Sequence, residues 1–329
     1  MADQPLAIAV VMGGFSEEYE VSLQSAQVVC AQLDPQRFRA YPVLISTERW
    51  EVWLEEERIP LQREDFSFYH HGEKIQFQAV FNAIHGSPGE DGVLGSYLQL
   101  LGIPQTGSDT LGSALTFSKG ECNLFLRSQG IPTPPAVFLP YPREIDGPAL
   151  LEEVGLPCFV KPSRSGSSIG ITKVKEADQL LPAIAAARKL DSKVLVVGMV
   201  SGRETACGVS DHQGTVQSLA VTDIVPKNEF FDYESKYSGL SEEITPARIA
   251  DEHYRYIMRT SEEVYRLLGL RGLVRVDFIV DERRGPVLIE INTVPGLSQE
   301  SILPKQAVHA GLELGKLFGQ SLEQALQNG

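Results

Sequence analysis

Two pairs of residues late in the chain carry the most explicit chemistry. Arg275-Val-Asp277 and Glu290-Ile-Asn292 sit in runs of Val, Ile, Leu and Phe that read as strands, where side chains at i and i+2 project from one face. Asp, Glu and Asn offer hard oxygen ligands, the set Mg²⁺ takes when it also holds substrate phosphates. Two carboxylates this close in apolar strands are costly unless a cation compensates them. That cation is either a metal ion or Arg275 itself, since structural ion pairs are common.

A second constellation is Lys161-Pro-Ser-Arg-Ser-Gly-Ser-Ser168-Ile-Gly170. A lysine delivered by a strand into a Gly/Ser loop presents charge and backbone N–H groups to anionic oxygens. The same residues also read as a polar hairpin turn. GxxxxGK[ST] and GxG are both absent, so neither a P-loop nor a Rossmann fingerprint is on offer. Gly166, Ser168 and Gly170 match GxSxG, but a nucleophile elbow needs a helix directly after the serine. The β-branched run Ile169–Val174 predicts a strand instead, which argues against a serine hydrolase. Just after Asn292, a Pro295-Gly296 turn could aim a backbone N–H at a developing oxyanion. Near the start, Glu17-Glu18-Tyr19-Glu20 follows a strand. Carboxylates there either favour a helix N-terminus or hold an ammonium group, and from these residues alone the first reading is preferred.

These groups need a scaffold. Leu6–Met12 is a continuous apolar run closed by Gly13-Gly14, as expected of a buried parallel strand. Helical periodicity follows over Glu20–Leu33, then strands at Tyr41–Ile45 and Gln78–Ile84, and a helix at Asp91–Leu101. That alternation predicts a doubly wound α/β unit whose polar loops, Gly13–Glu18 and His85–Gly92, share one crevice. One helical stretch is expected over Leu111–Gly130, stopped by Gly130 and the following prolines. Strands at Cys158–Lys161, Gly170–Val174 and Lys193–Val197 with a helix at Ala177–Lys189 form a smaller second unit. The last third predicts strands at Glu204–Ser210, Val216–Ile224, Leu273–Val280 and Val287–Asn292, and helices at Asp251–Leu268 and Lys305–Phe318. The irregular stretch Pro226–Ala247 reads as a functional lid.

Composition narrows the partners. In 329 residues, 43 acidic side chains face 29 basic ones, a net charge of -14. Such a surface repels phosphate backbones, so nucleic acid is not an expected partner. Cys30, Cys122, Cys158 and Cys207 form no CxxC pair, which argues against zinc ribbons, iron–sulfur clusters and disulfide frameworks. The first residues carry no basic signal region, and no apolar run reaches the roughly 18 residues of a membrane span. A cytoplasmic protein without a membrane partner is expected.

Taken together, the motifs resemble one family, the D-alanine–D-alanine ligases of the ATP-grasp superfamily. The resemblance spans nearly the whole chain: GGFSEEYEVS from Gly13, HGSPGEDG (His85–Gly92), GLPCFVKPSRSGSSIG (Gly155–Gly170), DYESKY (Asp232–Tyr237), VRVDF (Val274–Phe278) and EINTVPGLSQESILP (Glu290–Pro304). It implies a three-domain α/β ATP-grasp ligase, with an amino-terminal doubly wound substrate domain over 1–108, a central ATP-grasp subdomain over 109–200 and a carboxy-terminal ATP-grasp and metal-binding domain over 201–329 that carries a lid at 226–247. It also implies the reaction. ATP phosphorylates the carboxylate of one D-alanine, and the amine of a second displaces phosphate to give D-alanyl-D-alanine for peptidoglycan precursor synthesis.

Residue roles follow from the same resemblance. Lys119, Lys161 and the lid's Lys236 match the phosphate lysines, and Glu204 the ribose contact. Asp277, Glu290 and Asn292 match the ligands of two Mg²⁺ ions, with Mn²⁺ as an alternative. Glu18 matches the anchor of the first D-alanine's ammonium, in a cluster with Ser167 and Tyr237, and His85 lies near that substrate. Arg275 and the Gly296 N–H match oxyanion stabilisers, while Ser301 and the Ile302 backbone match the site of the second carboxylate. Tyr237 goes with D-alanine as acceptor, and family members are commonly homodimers. Two departures stand out. Ser118 replaces an Asp before the first phosphate lysine, and Gly198-Met199 replaces an acidic residue at the adenine, which predicts weaker ATP binding or relaxed nucleotide choice. The alternative readings are an ATP-grasp ligase for another amino-acid or hydroxy-acid acceptor and a non-catalytic ATP-binding relative.

Overall fold

A computed structural model of the chain describes residues 4–142, 144–166, 169–212, 214–226 and 241–328. The first sheet has the order β4-β3-β2-β1-β7. Its strands are β1 (Leu6–Gly13), β2 (Phe38–Ile45), β3 (Trp50–Leu54), β4 (Glu57–Pro60) and β7 (Ala79–Asn82), while β5 (Ser67–His70) and β6 (Glu73–Gln76) form a separate hairpin. β1 lies parallel to both β2 and β7. Helix α1 (Tyr19–Gln32) follows β1, and α2 (Val93–Leu100) follows β7. The apolar run of β1 is explained by burial on both sides. Ile8, Val10 and Met12 meet Val29 of α1, and Ala9 and Val11 meet Phe66, Phe68, Leu94 and Leu98. The expected parallel core is present, but the stretch between Ile45 and Phe77 adds an antiparallel meander that the helix–strand alternation did not anticipate.

The second sheet, β10-β9-β11-β8, is antiparallel and built from β8 (Ala136–Leu139), β9 (Cys158–Pro162), β10 (Thr172–Val174) and β11 (Val194–Gly198). A strand does follow the Gly/Ser loop, which removes the nucleophile-elbow reading. One face of the sheet, with Cys158, Val160, Val194 and Val196, packs on α5 (Gly147–Val154) and α6 (Leu180–Ala187). The single helix expected over Leu111–Gly130 is instead two, α3 (Thr110–Phe117) and α4 (Lys119–Ser128). Ser118 breaks the run with φ -87° and ψ 89°. Its neighbours bond outward: Lys119 N–H donates to the Ser163 carbonyl at 3.0 Å, and Gly120 N–H to Ser163 Oγ at 2.9 Å. Competition from buried Ser163 for these N–H groups outweighs helical propensity.

The third sheet, β14-β13-β12-β15-β16, comprises β12 (Gly202–His212), β13 (Thr215–Pro226), β14 (Ser241–Ile244), β15 (Val274–Asp281) and β16 (Gly285–Asn292). Helix α7 (Asp251–Leu267) covers it through Ile257, Val264 and Tyr265. The helix expected at Lys305–Phe318 is also two, α8 (Ile302–His309) and α9 (Leu314–Asn328). Gly311, at φ +75°, supplies the left-handed residue that ends α8. α9 returns to the first sheet, where Leu317, Phe318 and Leu322 join Ile8, Val10 and Met12 in one core. All four cysteines are free. Among the described residues, no helix is long and apolar enough to cross a membrane.

Candidate active site

The carboxyl edge of the first sheet is an interlocked pair of loops. Gly13 and Gly14, at φ +91° and +97°, turn the chain out of β1 in a conformation only glycine adopts without strain. Ser22 then pins α1 in place, accepting from Gly13 N–H at 2.9 Å and donating to the Ala83 carbonyl at 2.7 Å. Ser16 Oγ donates to the His85 carbonyl at 2.9 Å. Glu18 stands at the N-cap of α1, yet its side chain makes no cap bond. It reaches instead against the Gly/Ser loop, where a Cβ on Gly166 would come within 2.7 Å of Glu18 Oε2. The helix-dipole reading of Glu18 is thus incomplete, because the carboxylate faces a cleft.

On the third sheet, strand register assembles the other cluster. Arg275 pairs with Asn292 and Asp277 with Glu290. A β-bulge follows Asp277. Arg275 Nε and Nη2 each donate to Asp277 at 2.8 Å, and Asn292 Nδ2 donates to Asp277 Oδ2 at 2.9 Å. The ion pair considered from sequence therefore forms. Asn292 spends its N–H on Asp277 and keeps Oδ1 as an oxygen donor, so Asp277, Glu290 and Asn292 suit a hard cation. Among the described residues, no three His, Cys, Asp or Glu side chains are grouped to hold a metal by themselves. A cation here would complete its shell from substrate oxygens.

Lys119 opens α4 and donates to the Ser165 carbonyl at 2.6 Å, with Glu290 Oε1 at 3.0 Å. Burial disfavours its ammonium, but Glu290, then Glu90 and Glu18, more than offset this and raise its pKa above the usual lysine value. Gly296 and Ser301 meet across the turn before α8, where a Cβ on Gly296 would lie 2.7 Å from Ser301 Oγ.

The loops and helix beside the first sheet and strands of the other two line one cleft of about 280 Å³. Glu18, His85, Lys119, Lys161, Glu204, Arg275, Asp277, Glu290, Asn292, Gly296, Ser301 and Ile302 all line it. Ser167, Lys236 and Tyr237 lie outside the described residues, as does most of the expected lid. Glu90 also lines the cleft, and sequence reasoning missed it although it lies within the quoted His85–Gly92 motif. Burial, reinforced by Glu18, pushes its carboxyl up to about 7, against the Gly86 N–H and Lys119. Glu243 is a further missed wall residue, held by Lys305 of α8 at 3.1 Å. Neither had a signal in spacing alone.

The family models described as D-ala D-ala ligase N-terminus and C-terminus match residues 7–108 and 125–323. The chain belongs to the D-alanine–D-alanine ligase family. A D-alanine–D-alanine ligase of Flavobacterium johnsoniae is 43% identical over 97% of this chain and 99% of its own length. The solved D-alanyl-alanine synthetase A of Vibrio cholerae matches with a TM-score of 0.89 at 30% identity, covering 99% of both chains. The solved VanG D-Ala:D-Ser ligase of Enterococcus faecalis matches with a TM-score of 0.84 at 32% identity, covering 97% of this chain and 99% of that one. The D-alanine–D-alanine ligase fold is accordingly that of the three sheets described above, an ATP-grasp pair of sheets behind an amino-terminal α/β unit.

Proposed function

We infer that this chain joins two D-alanines into D-alanyl-D-alanine at the expense of ATP, for peptidoglycan precursor synthesis. The observation that carries the reading is the convergence in one cleft of Glu18 at the start of α1, Lys119 at the start of α4, Lys161 on the second sheet and Arg275, Asp277, Glu290 and Asn292 on the third. Glu18 holds the ammonium of the first D-alanine, with Ser167 and Tyr237 completing that cluster, and His85 borders it. Lys119 and Lys161, with Lys236 from the lid, spread the phosphate charge while the carboxylate attacks the γ-phosphoryl group. Glu204 takes the ribose. Asp277, Glu290 and Asn292 hold two Mg²⁺, or Mn²⁺, which neutralise phosphate charge when bound.

The second D-alanine's amine then attacks the acyl phosphate. Arg275 and the Gly296 N–H face the oxygen on which charge develops, while Ser301 and the Ile302 N–H, at the start of α8, take the acceptor carboxylate. Exclusion of water by the 226–247 lid protects the acyl phosphate. The working division is 1–108, 109–200 and 201–329, with α9 lent to the first unit's core. The enzyme works as a cytoplasmic homodimer without nucleic-acid or membrane partners. Light scattering at twice the chain mass supports the dimer, and a single-chain mass refutes it.

A second acceptor is favoured by one observation: the fold is shared with a D-Ala:D-Ser ligase, and a shared fold does not choose between small acceptors. Phosphate release from MgATP with D-alanine, D-serine, D-lactate or L-alanine, with products weighed by mass spectrometry, decides. D-alanyl-D-alanine as the main product at neutral pH is expected. A mixed dipeptide or depsipeptide in excess would reassign the acceptor, and no turnover despite ATP binding would point to the binding-only relative.

A further inference from the structure

The turn that carries Gly296 is not closed in the usual way. In a hydrogen-bonded β-turn the carbonyl of residue i accepts the N–H of residue i+3, here Val294 and Leu297. Instead, Leu297 N–H donates to Ser25 Oγ at 3.1 Å, and the Val294 carbonyl lies 2.7 Å from His85 Nδ1. Ser25 Oγ and His85 Nε2 are 3.2 Å apart. Two side chains of the amino-terminal unit, Ser25 from α1 and His85 from the loop after β7, are thus spliced into a turn more than two hundred residues away in sequence. Ser25 is fully buried and His85 only 5% exposed.

The donors and acceptors admit one consistent order. A carbonyl only accepts, so His85 Nδ1 carries the proton. Nε2 is then a lone pair that accepts from the Ser25 hydroxyl, whose own oxygen accepts from Leu297 N–H. Every group is satisfied, and the ring is neutral. A second ring proton would turn Nε2 into a donor and leave the serine proton without an acceptor. Burial, with Arg275 nearby, holds His85 below the ordinary imidazole pKa, while Glu18 and the Val294 carbonyl act the other way. Among the described residues nothing accepts the Gly296 N–H, and Gly296 lines the cleft midway along the clamped turn.

We propose that Ser25 is a positioning residue for the oxyanion donor, fixing through His85 both ends of the Val294–Leu297 turn so that the Gly296 N–H points where charge develops. This rests on the reading of Gly296 given above. It also makes ligation depend on docking of the amino-terminal unit against the third sheet, since the turn comes from one and its clamp from the other.

Ser25→Ala separates positioning from mere stability. The expected result is a fall in kcat of about 10–100-fold, short of deleting an oxyanion donor outright, with KM for ATP within about twofold of the parent. Ligation should slow more than acyl phosphate formation, so rapid-quench mixing should show a burst of ADP. Unchanged kcat would overturn the proposal. So would losses in kcat, KM for ATP and thermal midpoint that move together without a burst. A measurement on the unaltered protein covers a variant that fails to fold: ¹⁵N NMR of His85 at neutral pH should report the neutral Nδ1–H tautomer, and the Nε2–H tautomer or an imidazolium would sink the clamp. If the unaltered protein makes no D-alanyl-D-alanine, the functional reading fails, whereas the tautomer tests the clamp independently.

Discussion

Glu90 shows how one buried carboxyl ties chemistry to stability. An unfolded chain would ionise it near about pH 4.3, while burial, then Glu18 and Glu290, keep it protonated in the fold up to about 7. Between those limits the folded state holds a proton that the unfolded state has released. Its contribution to stability is therefore complete below about pH 4.3 and is lost as pH rises through about 7. Glu90→Gln keeps an acceptor for the Gly86 N–H, now 3.1 Å from Glu90 Oε2, and removes the titration. The melting temperature of the variant should gain about 2–4 °C on the parent between about pH 5.5 and 8.5. A pH-independent gap in calorimetry would show that Glu90 does not titrate in this range. Residue types at these sites were legible in the chain because oxygen ligands and lysines announce their chemistry. The state of Glu90 was not, since it depends on Glu18 and Lys119 arriving from other elements.

At the scale of elements, α4 explains how Lys119 reaches the cleft. Its start is docked on Ser163, buried at the end of β9 and bonded to the Lys119 and Gly120 N–H groups. Gly120 lets the helix approach β8, for a Cβ there would fall 2.1 Å from the Phe138 ring. Ser163→Ala should cost about 1–2 kcal/mol, as for loss of a helix cap, and raise KM for ATP severalfold with a smaller change in kcat. Urea unfolding and initial rates check this, and an unchanged KM would separate Lys119 from its anchor. The strands expected in the second and third sheets lie close to their bounds because apolar, β-branched runs mark them, whereas β8 and β14 were not anticipated. The break at Ser118 was invisible, because an apolar helical run gives no sign that a distant serine will take its N–H groups.

For the whole molecule, a net charge of -14 and a cleft lined by Asp277, Glu290, Glu18 and Glu90 make a poor site for a bare nucleotide. We propose that the lysines share the work with cations. MgATP at about a hundred times its Kd should stabilise the fold by about 2.7 kcal/mol, a rise of about 5 °C in melting temperature. ATP with excess chelator should shift it less, because the carboxylates then face uncompensated phosphates. Equal shifts in differential scanning fluorimetry would remove Asp277 and Glu290 from a metal role.

The sequence by itself determined the α/β class, most strands of the three sheets and which side-chain types are available at the cleft. These are local matters, set by apolar period, turn residues and functional-group chemistry. Tertiary structure alone decided that Lys119 meets Glu290, that α9 completes the first core, and that Ser25 and His85 close the Gly296 turn. Each of those depends on groups far apart in the chain meeting in contact. Such meetings follow from how whole sheets pack, and no local pattern encodes them.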